Sequence, residues 1–297
     1  MFENILGNEK NKEILKKSIE LNKTSHSYLF WGTEGIGKKL IAKEVAKRIL
    51  CLEKNMKDCK CKSCIEFDSD NNPDFQLIEA TDGKIKIDQI REMQRKIAEK
   101  PIISTQKVYI IDNADTMTAE AQNCLLKTLE EPPEYITIIL VCSNEDTMLS
   151  TIKSRCTRMH FEAIENSEVK NFININYPDI EMSDKIIELA QGSIGKAIKL
   201  NGNKEVYENI EKILLSMQTK DIIDIIQMSE GIYKSKEDIK SILEYMNVML
   251  LELSRQNKKY INCIGIVEDT KKRLKANSNY DMCIDNLLFN MKSIIAN

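Results

Sequence analysis

Through the first half of the chain, unbroken apolar runs alternate with segments in which apolar residues recur every three or four positions. Tyr28-Leu29-Phe30-Trp31, Val108-Tyr109-Ile110-Ile111 and residues 136–141, interrupted only by Thr137, have the pattern of strands covered on both faces. Residues 75–79 and 157–161 are shorter strand-like stretches. Between these runs, Ile41, Val45 and Ile49 recur every four residues, and Ile87, Ile90, Met93 and Ile97 share one helical face. The segment AEAQNCLLKTLEE has the same period and runs into Pro132-Pro133, which stops a helix. Residues 1–24 predict a further helix with Ile5, Ile14, Leu15 and Ile19 as inward positions. Strands that alternate with helices, without hairpin turn signals, predict an α/β domain built on a parallel sheet. A ligand of such a sheet sits beyond the strand C-termini.

The remainder reads as helical. Residues 164–203 predict two or three short helices ending at a Gly-Ser turn. From residue 206 onward the apolar residues keep helical period, with Ile210, Ile213, Leu214 and Met217, then Ile239, Ile242, Leu243 and Met246, most of them as bundle core. No repeat or low-complexity tract interrupts this pattern.

Composition narrows the function classes. The 297 residues are 42% hydrophobic and 30% charged, which is enough apolar material for a sizeable core and a length suited to two or three domains. Charges interrupt the first apolar stretch and no later run approaches spanning length, so neither a signal peptide nor a membrane span is expected and the protein is placed in the cytosol. A net charge of −3 argues against broad electrostatic binding to nucleic acid, so any DNA contact should be weak or shared with partners. Of nine cysteines, four fall between Cys51 and Cys64, and a reducing cytosol disfavours disulfides. Clustering points to metal.

Between the first strand and the helix after it lies GTEGIGKK, residues 32–39. Gly32, Gly37 and Lys38 fit the phosphate-binding loop G-x-x-x-x-G-K-[ST], in which backbone N–H groups wrap phosphates and the lysine reaches the terminal ones. The motif's last position, a hydroxyl that holds Mg²⁺, is here Lys39, and a cation cannot act as a metal ligand. The alternative is a glycine-rich turn with no ligand. Asp112 closes a later buried run where P-loop proteins carry the Asp that supports Mg²⁺. The next residue, commonly an acid that orients the attacking water, is Asn113, whose amide can hold water but cannot take its proton. Asp115 is expected to face elsewhere. His26 has no carboxylate or cysteine near it in sequence and no catalytic role is expected of it.

Cys51, Cys59, Cys61 and Cys64 lie in a polar, lysine-rich stretch and can close a tetrahedral zinc site, which with four thiolates would be structural. Four free surface thiols are the alternative, because the Cys59-Lys60-Cys61 step is tighter than the usual two-residue knuckle.

Taken together, GTEGIGKK, the cysteine cluster, Asn72-Pro73-Asp74, NCLLKTLEEPP and Ser154-Arg155-Cys156 occur in the order found in bacterial clamp loaders. About the first two hundred residues resemble these AAA+ subunits of DNA polymerase III. Lys39, Asn113 and the run Gly192-Ser193-Ile194-Gly195-Lys196, where the motor subunits carry an arginine directly after the third position, resemble the delta-prime branch more than tau or gamma. The single residue between Cys59 and Cys61 departs from the family, which usually has two there.

The resemblance implies an AAA+ P-loop domain over 1–163 with a zinc module at 51–64, a helical lid over 164–204 and an all-helical collar over 205–297 that joins subunits into an open ring. It implies a degenerate nucleotide site of Gly32, Gly35, Gly37, Lys38, Lys39, Asp112, Asn113 and the sensing position Lys196, with ATP or ADP binding left open. It also implies that Arg155 projects across a subunit interface as an arginine finger toward the γ-phosphate of a neighbour, a role commonly worth ~10³–10⁵ in rate. Implied partners are tau or gamma motor subunits, the delta subunit, the sliding clamp and primer-template DNA. On the residues alone, Arg155 also reads as a surface arginine and Lys196 as a helix-surface lysine. Two other readings stand beside the non-motor one: an active tau/gamma-type ATPase in which Gly37, Lys38 and Asp112 suffice, and a zinc-bearing scaffold without nucleotide chemistry.

Overall fold

A computed structural model describes residues 2, 5–53 and 59–296. Residues 54–58 of the cysteine stretch, and Met1, Glu3 and Asn4 of the helix predicted over 1–24, lie outside the described residues.

Five strands, β1 (Ser27–Trp31), β2 (Phe75–Ile78), β3 (Lys107–Ile111), β4 (Ile136–Cys142) and β5 (Thr157–His160), form one parallel sheet in the order β2-β3-β4-β1-β5. Each predicted strand is present within one or two residues of its expected ends. β4 is inserted between β1 and β3, with Trp31 opposite Cys142 and Ile111 opposite Leu140. The C-terminal ends of β1, β3 and β4 therefore lie side by side, where a ligand of a parallel sheet is held.

Seven helices accompany the sheet: α1 (Glu9–Glu20), α2 (Lys38–Leu50), α3 (Lys62–Asp68), α4 (Ile87–Ile97), α5 (Ala119–Glu130), α6 (Ser150–Lys153) and α7 (Asn166–Asn176). Successive strand residues point to opposite faces. Phe30, Ile110 and Ile139 pack with Leu15 of α1 and Ile41 and Val45 of α2. Leu29, Ile111 and Leu140 pack on the other face with Ile90 and Met93 of α4 and Leu125 and Leu129 of α5.

Helix α1 begins eight residues later than predicted, because Gly7 and Asn8 both take left-handed backbone, at φ 76° and 58°. Its buried stripe is Lys12, Leu15 and Ile19, a 3-4 spacing that turns Ile14 outward to 49% exposure. Ile14 is thus a surface residue and not the inward one expected.

The chain forms two compact units, residues 1–178 with 191–196, and residues 179–190 with 197–297. In the first, Ile164 N donates to Gly192 O at 3.1 Å and Gly195 N to Gly35 O at 3.3 Å, so the turn at 191–196 belongs with the sheet. The helices that follow are α8 (Asp184–Ala190), α9 (Ile194–Gly202), α10 (Lys204–Ser216), α11 (Ile222–Met228), α12 (Glu230–Lys234), α13 (Ile239–Ser254), α14 (Lys259–Lys275) and α15 (Tyr280–Ala296). Ile210, Ile213 and Leu214 of α10 and Ile242, Leu243 and Met246 of α13 are buried in the second unit, as their periodicity predicts, and Ile239 is half-buried. Among the described residues no helix is long and apolar enough to cross a membrane.

Candidate nucleotide site and metal centre

At the C-terminal end of β1 the backbone turns through three left-handed glycines, Gly32 (φ 145°), Gly35 (φ 76°) and Gly37 (φ 94°). A Cβ on Gly32 would lie 2.1 Å from Phe161 O, and one on Gly35 would lie 2.3 Å from Ser193 Oγ, so neither position admits a side chain. Helix α2 starts directly after Gly37, which supplies no side-chain cap, and its first N–H groups are left to an outside acceptor.

Lys38 is only 5% exposed, and its Nζ donates to Gly32 O and Thr33 O, both at 2.6 Å. Among the described residues no carboxylate comes within ion-pair distance of it. Burial lowers its pKa, and the more distant Cys142, Asp115, Glu34 and Asp112 raise it by less.

Lys39 is held differently. Its Nζ lies 3.0 Å from Asp112 Oδ2 and donates to Glu79 Oε1, so it ties together the residues that directly follow β3 and β2. Burial pulls the Lys39 pKa down, but the hydrogen bonds to Glu79 and Asp112 outweigh it and raise the pKa above the usual lysine value. Mg²⁺ does not fit the residues present: the motif's hydroxyl is missing, and the Lys39 ammonium is already paired with Asp112.

Asn113 is exposed at φ 51° and opens a short 3-10 turn, Ala114–Thr116. Asp115 was expected to face elsewhere, yet its Oδ2 accepts from Ser143 N at 3.2 Å and Asn144 N at 3.3 Å at the end of β4. The 3-10 turn rotates it back over the sheet edge, so it is a neighbour of the loop and a fastener between β3 and β4. Lys196 N donates to Ser193 Oγ at 3.0 Å and lies beside Gly35, so the structure brings this position's backbone to the loop as well.

Arg155 is not at its own loop. It follows α6 and precedes β5, and its carbonyl accepts from Ser27 Oγ at 2.7 Å. Ser27 opens β1 and Gly32 follows it, so Arg155 lies at the opposite end of the strand from the glycines, roughly 16 Å away by strand rise. Its side chain is 33% exposed, and the guanidinium lies 2.7 Å from Glu130 Oε1 and donates to Thr151 O at 2.9 Å. Burial pushes the thiol of neighbouring Cys156 up to about 11. His26 is exposed in the loop before β1 and belongs to no metal-binding group among the described residues.

The four clustered cysteines do converge: the Sγ atoms of Cys51, Cys59, Cys61 and Cys64 all lie within 4.8 Å of one another. Cys51 caps the end of α2, Cys61 caps the start of α3, and Cys64 stands one turn into α3. Tetrahedral zinc with bonds near 2.3 Å needs sulfurs about 3.8 Å apart, so the four soft donors could hold a metal ion after small adjustments. Burial raises the Cys61 pKa, but backbone N–H groups of Cys64 and Leu52 outweigh it and bring the thiol down to about 7.

In sequence Asn72-Pro73-Asp74 marks a break before β2 and one of the stretches that carry the resemblance; in the structure it is also a buried polar hub. Asn72 Nδ2 donates to Ser63 O at 2.9 Å and Ser63 Oγ at 3.0 Å, fastening α3 to the start of β2. Asp74, 2% exposed, accepts the N–H groups of Ile102, Ile103 and Ser104, each at 2.7 Å. The local signal was an Asx turn beside a proline.

Residues 7–165, more than half of the chain, match the family described as DNA polymerase III, delta subunit. The chain belongs to this clamp-loader family. It is 32% identical over 203 residues to DNA polymerase III subunit delta′ of Bacillus subtilis, covering 68% of this chain and 61% of that protein. DNA polymerase III subunit tau/gamma of Haemophilus influenzae is 30% identical over 231 residues, covering 73% of this chain and 33% of that protein. These alignments thus span from a third to about three fifths of the curated relatives. In fold the chain is similar to a DNA polymerase III gamma-subunit-related protein from Thermotoga maritima, with a TM-score of 0.61 at 19% identity over 95% of this chain and 99% of that one. This clamp-loader chain has the AAA+ fold, with its glycine-rich loop at the end of β1.

Proposed function

We propose that this chain is a non-motor, stator-like subunit of the DNA polymerase III clamp loader, with a degenerate ATPase site of its own and Arg155 as an arginine finger acting in trans. The observation that carries the reading is the Lys39–Asp112 pair, which fills the metal position and removes the Mg²⁺ on which phosphoryl transfer depends. Arg155 supports the second half. It sits too far from its own loop to serve it, and its ion pair with half-exposed Glu130 is of a kind worth only about 0–1 kcal/mol, so the guanidinium can be redirected at low cost.

On this reading residues 1–163 form the P-loop domain, with structural zinc on Cys51, Cys59, Cys61 and Cys64, residues 164–204 the lid, and residues 205–297 the collar. Asn113 and Lys196 keep the positions of a water-orienting acid and a nucleotide-sensing arginine without their chemistry. The subunit works in the cytoplasm with tau or gamma motors and delta, and reaches the sliding clamp and primed DNA through the assembly. The test is the DNA- and clamp-stimulated ATPase rate of a reconstituted loader carrying Arg155→Ala. A fall of about tenfold or more is expected from the size of a finger's contribution. An unchanged rate with intact assembly would leave a zinc-bearing scaffold.

The comparable identity to tau/gamma proteins favours one further reading, an active ATPase of that type. It requires hydrolysis by the isolated chain, with a modest rise on Lys39→Thr.

A further inference from the structure

The loop retains the features that recognise phosphate and has lost those that recognise metal. Three left-handed glycines shape the loop and the start of α2 has no side-chain cap, while Lys38 is a 95% buried cation that donates to Gly32 O and Thr33 O and meets no carboxylate at contact distance among the described residues. An ammonium group so placed is costly unless an anion completes it. Lys39 has three N–H donors, of which Asp112 and Glu79 take two, and the third is left for a phosphate oxygen.

We infer that this loop binds a nucleoside di- or triphosphate without a divalent cation, the Lys39 ammonium standing in the metal's place between Asp112, Glu79 and the phosphates. The site is then a metal-independent nucleotide holder, which uses the P-loop for structure and not for turnover. This goes beyond the reading of Arg155 and does not depend on it. A loader unaffected by Arg155→Ala would leave the inference standing, and a chain that binds no nucleotide would leave the finger standing.

Calorimetric titration of the full chain with ADP and with ATP tests it, in resin-stripped buffer with and without added Mg²⁺. No chelator is used, because a chelator would attack the cysteine cluster. Trp31, the sole tryptophan, directly precedes Gly32 and gives a second readout by fluorescence. The wild-type dissociation constant is expected to change less than about twofold on adding Mg²⁺, while Lys39→Thr, which restores the hydroxyl ligand, should bind at least about tenfold more tightly with Mg²⁺ than without it. Wild-type binding that tightens tenfold with Mg²⁺ would overturn the inference, as would no binding of either nucleotide at millimolar concentration. Both wild-type outcomes decide the matter even if the variant fails to fold.

Discussion

Lys39 Nζ lies 3.0 Å from Asp112 Oδ2, so a residue in the first turn of a helix neutralises a residue that directly follows a strand 73 positions later. Asp112 is 8% exposed, and without Lys39 its carboxylate would lose its ion pair. Lys39→Met should therefore cost about 1 kcal/mol in urea unfolding, a value already reduced for the solvent that reaches the lysine. Because the folded pKa of Lys39 is raised above 10.5, the stabilisation is fully present below pH 10.5 and is lost as pH rises through the higher folded value. The gap between wild type and Lys39→Met should stay constant from neutral pH to about 10 and close above that.

Asp74 should be a costly residue to change. Alanine there takes the buried acceptor away from three backbone N–H groups of the 102–104 loop, an expected loss of about 2–3 kcal/mol by chemical denaturation. Asp74→Asn, which keeps one acceptor oxygen, should lose less.

Two glycines with left-handed backbone separate clash from strain. Gly32→Ala places Cβ against the Phe161 carbonyl and should destabilise by about 2 kcal/mol or more. Gly83, at φ 75° with nothing within 4 Å of its Cβ position, should cost only about 1 kcal/mol as alanine, a difference thermal melts can resolve.

The cysteine cluster predicts about one zinc per purified chain by elemental analysis, lost in Cys61→Ser. Removing the metal should make four further thiols reactive toward a chromogenic disulfide and lower the melting temperature. Zinc absent from wild-type protein prepared without chelators would refute the assignment.

Glu130→Gln releases the ion pair that holds Arg155 against its own subunit. Stability should change by no more than about 0.5 kcal/mol, since the pair is surface-exposed, and the loader's ATPase rate should be equal or higher. A fall would mean that Glu130 positions the arginine for its role.

Most strands and helices were legible because each rests on local periodicity. Apolar runs became β1, β3 and β4, and Ile41, Val45 and Ile49 became the buried face of α2. The failures were where local and distant constraints differ. Ile14 looks inward by composition, but the phase of α1 is set by Leu15 and Ile19 packing on the sheet, which leaves it in water. Asp115 looks misplaced until the backbone at Asn113 turns left-handed and carries it to β4.

By itself the sequence determined the α/β and all-helical halves, the glycine-rich loop between β1 and α2 with Lys39 at its end, and which four cysteines would meet. These follow from residue type and spacing, which act within a few turns of chain. Tertiary structure alone decided the strand order, the partners of Lys39, the hub at Asp74 and the separation of Arg155 from its own loop. Each depends on hydrogen bonds or ion pairs between residues tens of positions apart, and which of the many polar side chains meet is settled only when the sheet brings its strand ends together.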